Sequence, residues 1–161
     1  MAVHKLLIDE FVTIDYILIG VHSSLEDYRL AYFINRELST LFEKCPRDIS
    51  FKIKEGESCF SWYIYEDPEN EVCWNLIQNK GMVISRDDNT GSLFGETGMD
   101  VTTNVFLLPE FKKVDYIIKI EDTGSLFETD ILIDKLLQIK QVNTAYVIDH
   151  EKLKSKNNLI F

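Results

Sequence analysis

Two segments of this chain share one hydrophobic pattern. Residues 13–22 place Ile14, Tyr16 and Leu18 on one side of an extended chain, and Asp15, Ile17, Ile19 and Val21 on the other. Both sides are largely apolar, which predicts a central strand covered at least in part on both faces. Residues 114–120 repeat the design: Val114-Asp115-Tyr116-Ile117-Ile118 matches Ile14-Asp15-Tyr16-Ile17-Leu18 at a constant offset of 100 positions.

Helical spacing follows each strand. Ser23 and Glu26 have the S-x-x-E spacing of a capping box, in which the two residues satisfy each other's orphan backbone N–H groups. The first helix is expected to run to about residue 44, where Cys45-Pro46 stops it, because the residue before proline is pushed out of the α region. Tyr28, Ala31, Tyr32, Leu38 and Phe42 form its apolar stripe, widened by Leu30, Ile34 and Leu41. Asn35 falls on the buried side, so its amide requires a fixed hydrogen-bond partner. The second helix opens at Gly124-Ser125, with Ser125 and Glu128 again at capping-box spacing, and presents Leu132, Ile133, Leu136, Leu137 and Ile139. A strand over 144–148 follows, and the apolar segment Leu159-Ile160-Phe161 is expected to dock.

The stretch between the two units reads as short strands. Residues 49–53 form one. Phe60, Trp62 and Ile64 then face Val72, Trp74 and Leu76 across a turn centred on Pro68. Pairing 64 with 72, 62 with 74 and 60 with 76 puts all six apolar residues on one face, and a one-residue slip would scatter them. Strands at 82–84 and 92–94 flank a turn at 87–91, residues 95–103 are the least patterned, and a strand at 104–108 ends at Pro109. The order predicts an α+β, two-layer fold for all of 1–161 as a single domain: ferredoxin-like β-α-β units with an inserted antiparallel meander, and two main helices on one face of the sheet. In that arrangement the two Asp-Tyr strands are expected to be adjacent, central and parallel. Tyr16 and Tyr116 then point at the helices, and Asp15 and Asp115 share the opposite face.

Composition narrows the function classes. With 45% hydrophobic and 12% aromatic residues the chain is not of a disordered type. Its formal net charge is −10, from 27 acids against 17 bases, which disfavours general binding to nucleic acid or to a membrane surface. Lys152, Lys154 and Lys156 are the best basic run and read as a solvated segment. No stretch reaches the ~18 apolar residues of a membrane helix, and the first residues lack the apolar region of a signal peptide, so the expected location is cytoplasmic. Cys45, Cys59 and Cys73 have no C-x-x-C spacing and are expected to be reduced and mostly buried, without a disulfide. His4, His22 and His150 are scattered, so no metal site and no cofactor is expected.

The stretch Leu108-Pro109-Glu110-Phe111-Lys112-Lys113-Val114-Asp115-Tyr116 resembles the signature of the IPExxxVDY family, with Leu108 in place of the family's Ile. The segment Asp27-Tyr28-Arg29-Leu30 also resembles that family, as do the length and the order of elements. The resemblance implies a small bacterial protein. It carries no assigned activity, so it transfers no mechanism.

Two readings of the candidate residues stand side by side. Asp15 and Asp115 on one sheet face would raise each other's pKa as an acid–base or metal pair does, or they are solvated strand entrances neutralised by Lys112, Lys113 and Lys119. The signature is either a tight strand-to-strand connection, with Pro109 at an edge, or a binding corner at Glu110, Asp115 and Tyr116. The chain has no P-loop pattern, no GxGxxG, no HExxH and no GxSxG. No catalytic residue is assigned. The candidate binding residues are Pro109, Glu110, Asp115, Tyr116, Asp15, Tyr28 and Arg29.

The function expected is a non-catalytic intracellular binding or interaction module that engages an unknown protein partner or itself as a homodimer. Two helices cover one sheet face, and the other needs a cover, either the inserted hairpin or a second subunit. The alternatives are an RNA-associated protein stacking bases on sheet aromatics, and a small enzyme using Asp15, Asp115 or Glu110.

Overall fold

The computed structural model describes residues 15–53, 56–86, 100–124 and 127–161. In chain order the elements are β1 (Tyr16–Ser23), α1 (Asp27–Leu38), β2 (Glu43–Lys44), β3 (Ile49–Ile53), β4 (Gly56–Phe60), β5 (Trp62–Asp67) and β6 (Val72–Gln78). There follow β7 (Lys80–Arg86), β8 (Asp100–Phe106), β9 (Tyr116–Glu121), α2 (Thr129–Leu137) and β10 (Val142–Val147). Short 3-10 turns occupy Pro109–Phe111, His150–Lys152 and Lys156–Leu159. The fold is α+β. Six strands form one sheet in the order β10-β1-β9-β6-β5-β2, and every neighbouring pair in it is antiparallel. Strands β3 and β4 pair separately, as do β7 and β8.

Alternation along the strands builds two cores. One face of the sheet gives Ile19, Val21, Tyr116, Ile118, Ile120, Trp74 and Leu76 to a cluster with Leu30, Ala31 and Ile34 of α1 and Leu132 and Leu136 of α2. The opposite face gives Leu18, Ile77 and Ile117 to a second cluster. Its cover is the chain itself: Ile49 and Phe60 of the β3-β4 pair, Leu107, Leu108 and Val114 before β9, and Leu153 and Leu159 near the last residues. Each such Leu or Ile contributes about 2 kcal/mol of transfer free energy. Of the two covers expected for this face, the inserted strands or a second subunit, the chain itself supplies the first, joined by segments before β9 and after β10.

The two Asp-Tyr strands are adjacent and central, but they run antiparallel, not parallel. Tyr16 pairs with Glu121 and Val21 with Tyr116, so even positions of β1 face odd positions of β9. That parity sends the two tyrosines to opposite faces. Tyr116 lies in the helix-side core, while Tyr16 packs on the other side.

The β5-β6 register also differs from expectation. Asp67 pairs with Val72, Tyr65 with Trp74 and Trp62 with Ile77. The cause is a four-residue turn at 68–71. The Asp67 carboxylate accepts from the N–H groups of Glu69 and Asn70, at 3.0 and 3.3 Å, and Glu71 sits in the left-handed region at φ 56°. Trp62 and Trp74 therefore lie on opposite faces, and Phe60 belongs to β4.

Helix α1 is shorter than its pattern predicts. It ends at Leu38, with Ser39 left-handed at φ 56°. Tyr28, Tyr32 and Leu41 are exposed, and the buried stripe is Leu30, Ala31 and Ile34. The first capping box does not form. Ser23 is the last residue of β1, and its hydroxyl donates to the Gln141 carbonyl and accepts from Leu25 N–H, while the Glu26 side chain caps no backbone N–H of the helix. Glu128 heads α2 without a side-chain cap, and Ser125 lies outside the described residues. Residues 1–14, the turn at 87–91 and the strand at 92–94 also lie outside them. Asn35 has the fixed partners its position demanded, as described below.

Candidate functional site

The signature stretch is held by hydrogen bonds from within the chain. Asn79, between β6 and β7, is fully buried. Its side-chain amide donates to the carbonyls of Phe111 and Val114, each at 2.9 Å, and accepts from Leu108 N–H at 2.8 Å. Pro109 opens the 3-10 turn, where its missing N–H costs nothing. The Glu110 carboxylate accepts from the N–H groups of Lys154 and Ser155 and from the Ser155 hydroxyl, at 2.8, 2.9 and 3.0 Å. Burial raises its pKa, but these donors more than offset it and hold the carboxyl below the ordinary range.

Asp115 bridges two neighbours. It accepts from Ser23 N–H at 3.0 Å and pairs with Lys80 at 2.5 Å. The Tyr116 hydroxyl donates to the Leu25 carbonyl at 2.6 Å, and burial pushes its pKa far above the ordinary tyrosine value. Asp15, exposed, precedes the end of β1 that pairs with Glu121, whereas Asp115 precedes the end of β9 that pairs with Val21. At ~3.4 Å per residue the seven-residue offset sets the two positions about 24 Å apart along the sheet. The structure therefore does not bring Asp15, Asp115 and Glu110 together. Tyr28 is exposed and donates to Glu26 at 2.6 Å, and Arg29 is exposed on the same turn.

Two polar clusters escaped the sequence reading. In the first, Asp27 accepts from the hydroxyls of Ser61 and Tyr63 and from Tyr28 N–H. Lys44 donates to Ser61 at 2.8 Å, pairs with Asp48, and lies over the Tyr63 ring. Burial raises the Asp27 pKa, but the hydrogen bonds outweigh it and leave the carboxyl below its usual value. Tyr63 is pushed up to about 12 by burial and by the charge of Asp27. The cluster ties the start of α1 to β2 and β5, and an acid in a first helical turn was its only sequence signal. In the second, the buried Lys119 donates to the Leu159 carbonyl at 2.9 Å, pairs with Glu121 at 2.5 Å, and lies between the rings of Tyr16 and Phe161. It fastens the segment after β10. Leu159 is buried there as expected, while Ile160 and Phe161 remain exposed. Cys45 is buried, Cys73 half-buried and Cys59 exposed, all as free thiols. Burial pushes the thiols of Cys45 and Cys73 up, which leaves them poor nucleophiles.

Three hollows adjoin Asp67, and a further one of about 430 Å3 lies beside Lys80, Gln78 and Gly81. A hollow of about 760 Å3 runs along the outer edge of β5, past Leu41, Glu43, Glu66 and Glu69. A second, of about 220 Å3, lies between the end of α1 and α2, with Tyr65 and Trp74 in its wall and Glu128 and Lys135 beside them. A third, of about 430 Å3, is bounded by Asn70, Trp74, Phe127 and Glu128. Asp67 lines all three, so they form one groove, with five carboxylates (Glu43, Glu66, Asp67, Glu69 and Glu128) against the single ammonium of Lys135. Hydrogen bonding, from the Asn70 side chain foremost, holds the Asp67 carboxyl below its ordinary pKa, so it is charged at neutral pH.

Trp74 lies edge-on to Phe42 and Phe127 and is nine-tenths buried, yet its indole N–H has no acceptor among the described residues. Trp62, on the other face, donates its indole N–H to the buried Asn75 at 2.9 Å. No group of three or more metal-ligating side chains occurs among the described residues, and no helix there is long and apolar enough to cross a membrane. No family model, curated protein or solved structure matches the chain.

Proposed function

We propose that this chain is a non-catalytic binding module whose binding surface is the groove around Asp67, and that the signature corner is scaffold. One contrast carries the reading. The polar groups of Glu110, Asp115 and Tyr116 are taken up by internal hydrogen bonds, while the groove is lined by exposed carboxylates beside the aromatic wall of Tyr65 and Trp74, whose indole N–H has no acceptor among the described residues. Buried donors are nearly always satisfied, so the orphan sets this wall apart from the fully bonded signature corner. Membership in the IPExxxVDY family rests on the stretch 108–116, whose dense internal bonding suits a signature kept for folding. The strand order β10-β1-β9-β6 with two helices on one face supports an elaborated ferredoxin-like sheet, with β2 to β5 and β7-β8 as additions. The acidic balance and the absence of paired thiols favour a cytoplasmic protein and a protein or peptide ligand over nucleic acid. A second copy is not required, because both sheet faces are already covered.

Rescue of cells lacking the protein tests the reading. Glu110→Gln and Asp115→Asn, checked for folding, are expected to rescue fully. Tyr65→Ala combined with Glu128→Lys is expected to fail while remaining folded. The reverse pattern would move the function to the signature corner.

A further inference from the structure

Resting on the groove as the binding surface, we infer that its ligand is an extended, basic peptide segment that adds as a short strand to the edge of β5. The sheet is unfinished there. Strand β2 covers β5 only opposite Ile64 and Tyr63. Cys45 N–H donates to the Trp62 carbonyl at 2.9 Å, so residues 62, 64 and 66 turn their backbone groups outward in the antiparallel alternation. Continuing β2 backward would set Leu41 against Glu66. The ladder stops before that pair, and the backbone groups of Phe42 go to the Asn35 amide, at 2.7 and 3.1 Å. The N–H and C=O of Glu66 are left with no backbone partner among the described residues. Beyond it Pro68 offers a carbonyl and no donor, so the open edge is short.

An edge of that length selects its ligand. The residue paired with Glu66 would point its side chain away from the helices. Its two neighbours, at i−1 and i+1, would point into the groove beside Tyr65 and Asp67, because side chains alternate along a strand. Asp67 and Glu128 line that space, Glu43 and Glu66 stand along the edge on the other face, and cations gain further from the faces of Tyr65 and Trp74. The ligand class is therefore a segment with Lys or Arg at alternating positions, B-x-B. Main-chain bonds supply the pairing and the two basic side chains supply the selectivity.

The test is a nuclear magnetic resonance titration of the full chain at ~0.15 M salt, where long-range attraction between exposed charges is screened. The probes are capped octapeptides of Thr and Val carrying two lysines in B-x-B order. Controls carry the lysines adjacent, carry glutamates instead, or have the central residue N-methylated. The B-x-B peptide is expected to saturate, moving the indole resonance of Trp74 and the amide of Glu66 while leaving the indole of Trp62 in place. Adjacent lysines, N-methylation or the Glu128→Gln variant should each weaken binding about tenfold, near the loss of one good contact. No saturation, equal binding by the glutamate peptide, or equal binding by free spermine would overturn the inference. If the groove variants fail in cells and the B-x-B peptide does not bind, the groove reading stands and the basic-strand ligand falls.

Discussion

The side chain of Asn35 closes on Phe42 like a missing strand, accepting from its N–H at 2.7 Å and donating to its carbonyl at 3.1 Å. Thr40 adds a third bond, its hydroxyl donating to the same Asn35 oxygen at 3.0 Å. This amide does two things. It satisfies the turn that follows the left-handed Ser39 and both backbone groups of Phe42. Asn35→Ala is expected to cost about 2 kcal/mol, the scale of partly buried hydrogen bonds left unmade. Denaturant unfolding measures the loss.

Asn79 is the joint on which the signature stretch hangs. Alanine there strands the N–H of Leu108 and the carbonyls of Phe111 and Val114 in a dry interior. The expected loss is at least about 3 kcal/mol, above the usual range for a single substitution. Asn79→Asp is expected to be no better, because it keeps one acceptor, loses both donors and buries a charge. Equilibrium unfolding of the two variants checks this, and a loss below that of Asn35→Ala would contradict the assigned role.

Acid stability follows from Glu110 and Asp27, whose carboxyls are both held below their ordinary values in the folded protein. A depressed folded pKa stabilises above the unfolded pKa and loses that stabilisation as pH falls through the folded one. Stability should thus be level near neutrality and decline from about pH 4.5 downward. Glu110→Gln removes part of that slope, so its difference from the parent should shrink as the pH falls. Urea midpoints across pH 3 to 7 provide the measurement.

Tyr63 behaves in the opposite sense. Its folded pKa is raised from 10.0 to about 12, so its contribution is complete below pH 10 and disappears as pH rises toward 12. An ultraviolet titration should show a late tyrosinate step that Tyr63→Phe removes. Asp27→Asn should bring the same step to lower pH, because the neighbouring negative charge is one of its causes.

A bulkier residue at Gly81 should separate β7 from β4. A Cβ there would meet the Phe60 ring at 3.0 Å and the Cys59 carbonyl at 3.1 Å. Gly81→Ala is expected to destabilise by about 1–3 kcal/mol, as overpacking does. Thermal unfolding would read it, and Gly124→Ala, with open space around its Cβ, is the matched control.

The sequence by itself determined the elements that follow from local periodicity. The two-sided apolar strands at Tyr16–Ser23 and Tyr116–Glu121, the helix after each, the β3 strand and the hydrogen-bonded, half-buried amide of Asn35 were all legible, because side-chain alternation and helical spacing are properties of neighbouring residues. Only the tertiary structure decided direction, register and coverage. Apolar patterns on both faces of β1 and β9 suit parallel and antiparallel pairing equally, so the opposite placement of Tyr16 and Tyr116 awaited the actual register. The β5-β6 alignment turned on where the Asp67 carboxylate closed the loop, and residue alternation alone does not count loop residues. The groove was invisible for the same reason. Tyr65, Asp67, Trp74 and Glu128 come from two strands and the start of a helix, and an orphan indole N–H exists only once every neighbour has taken its place.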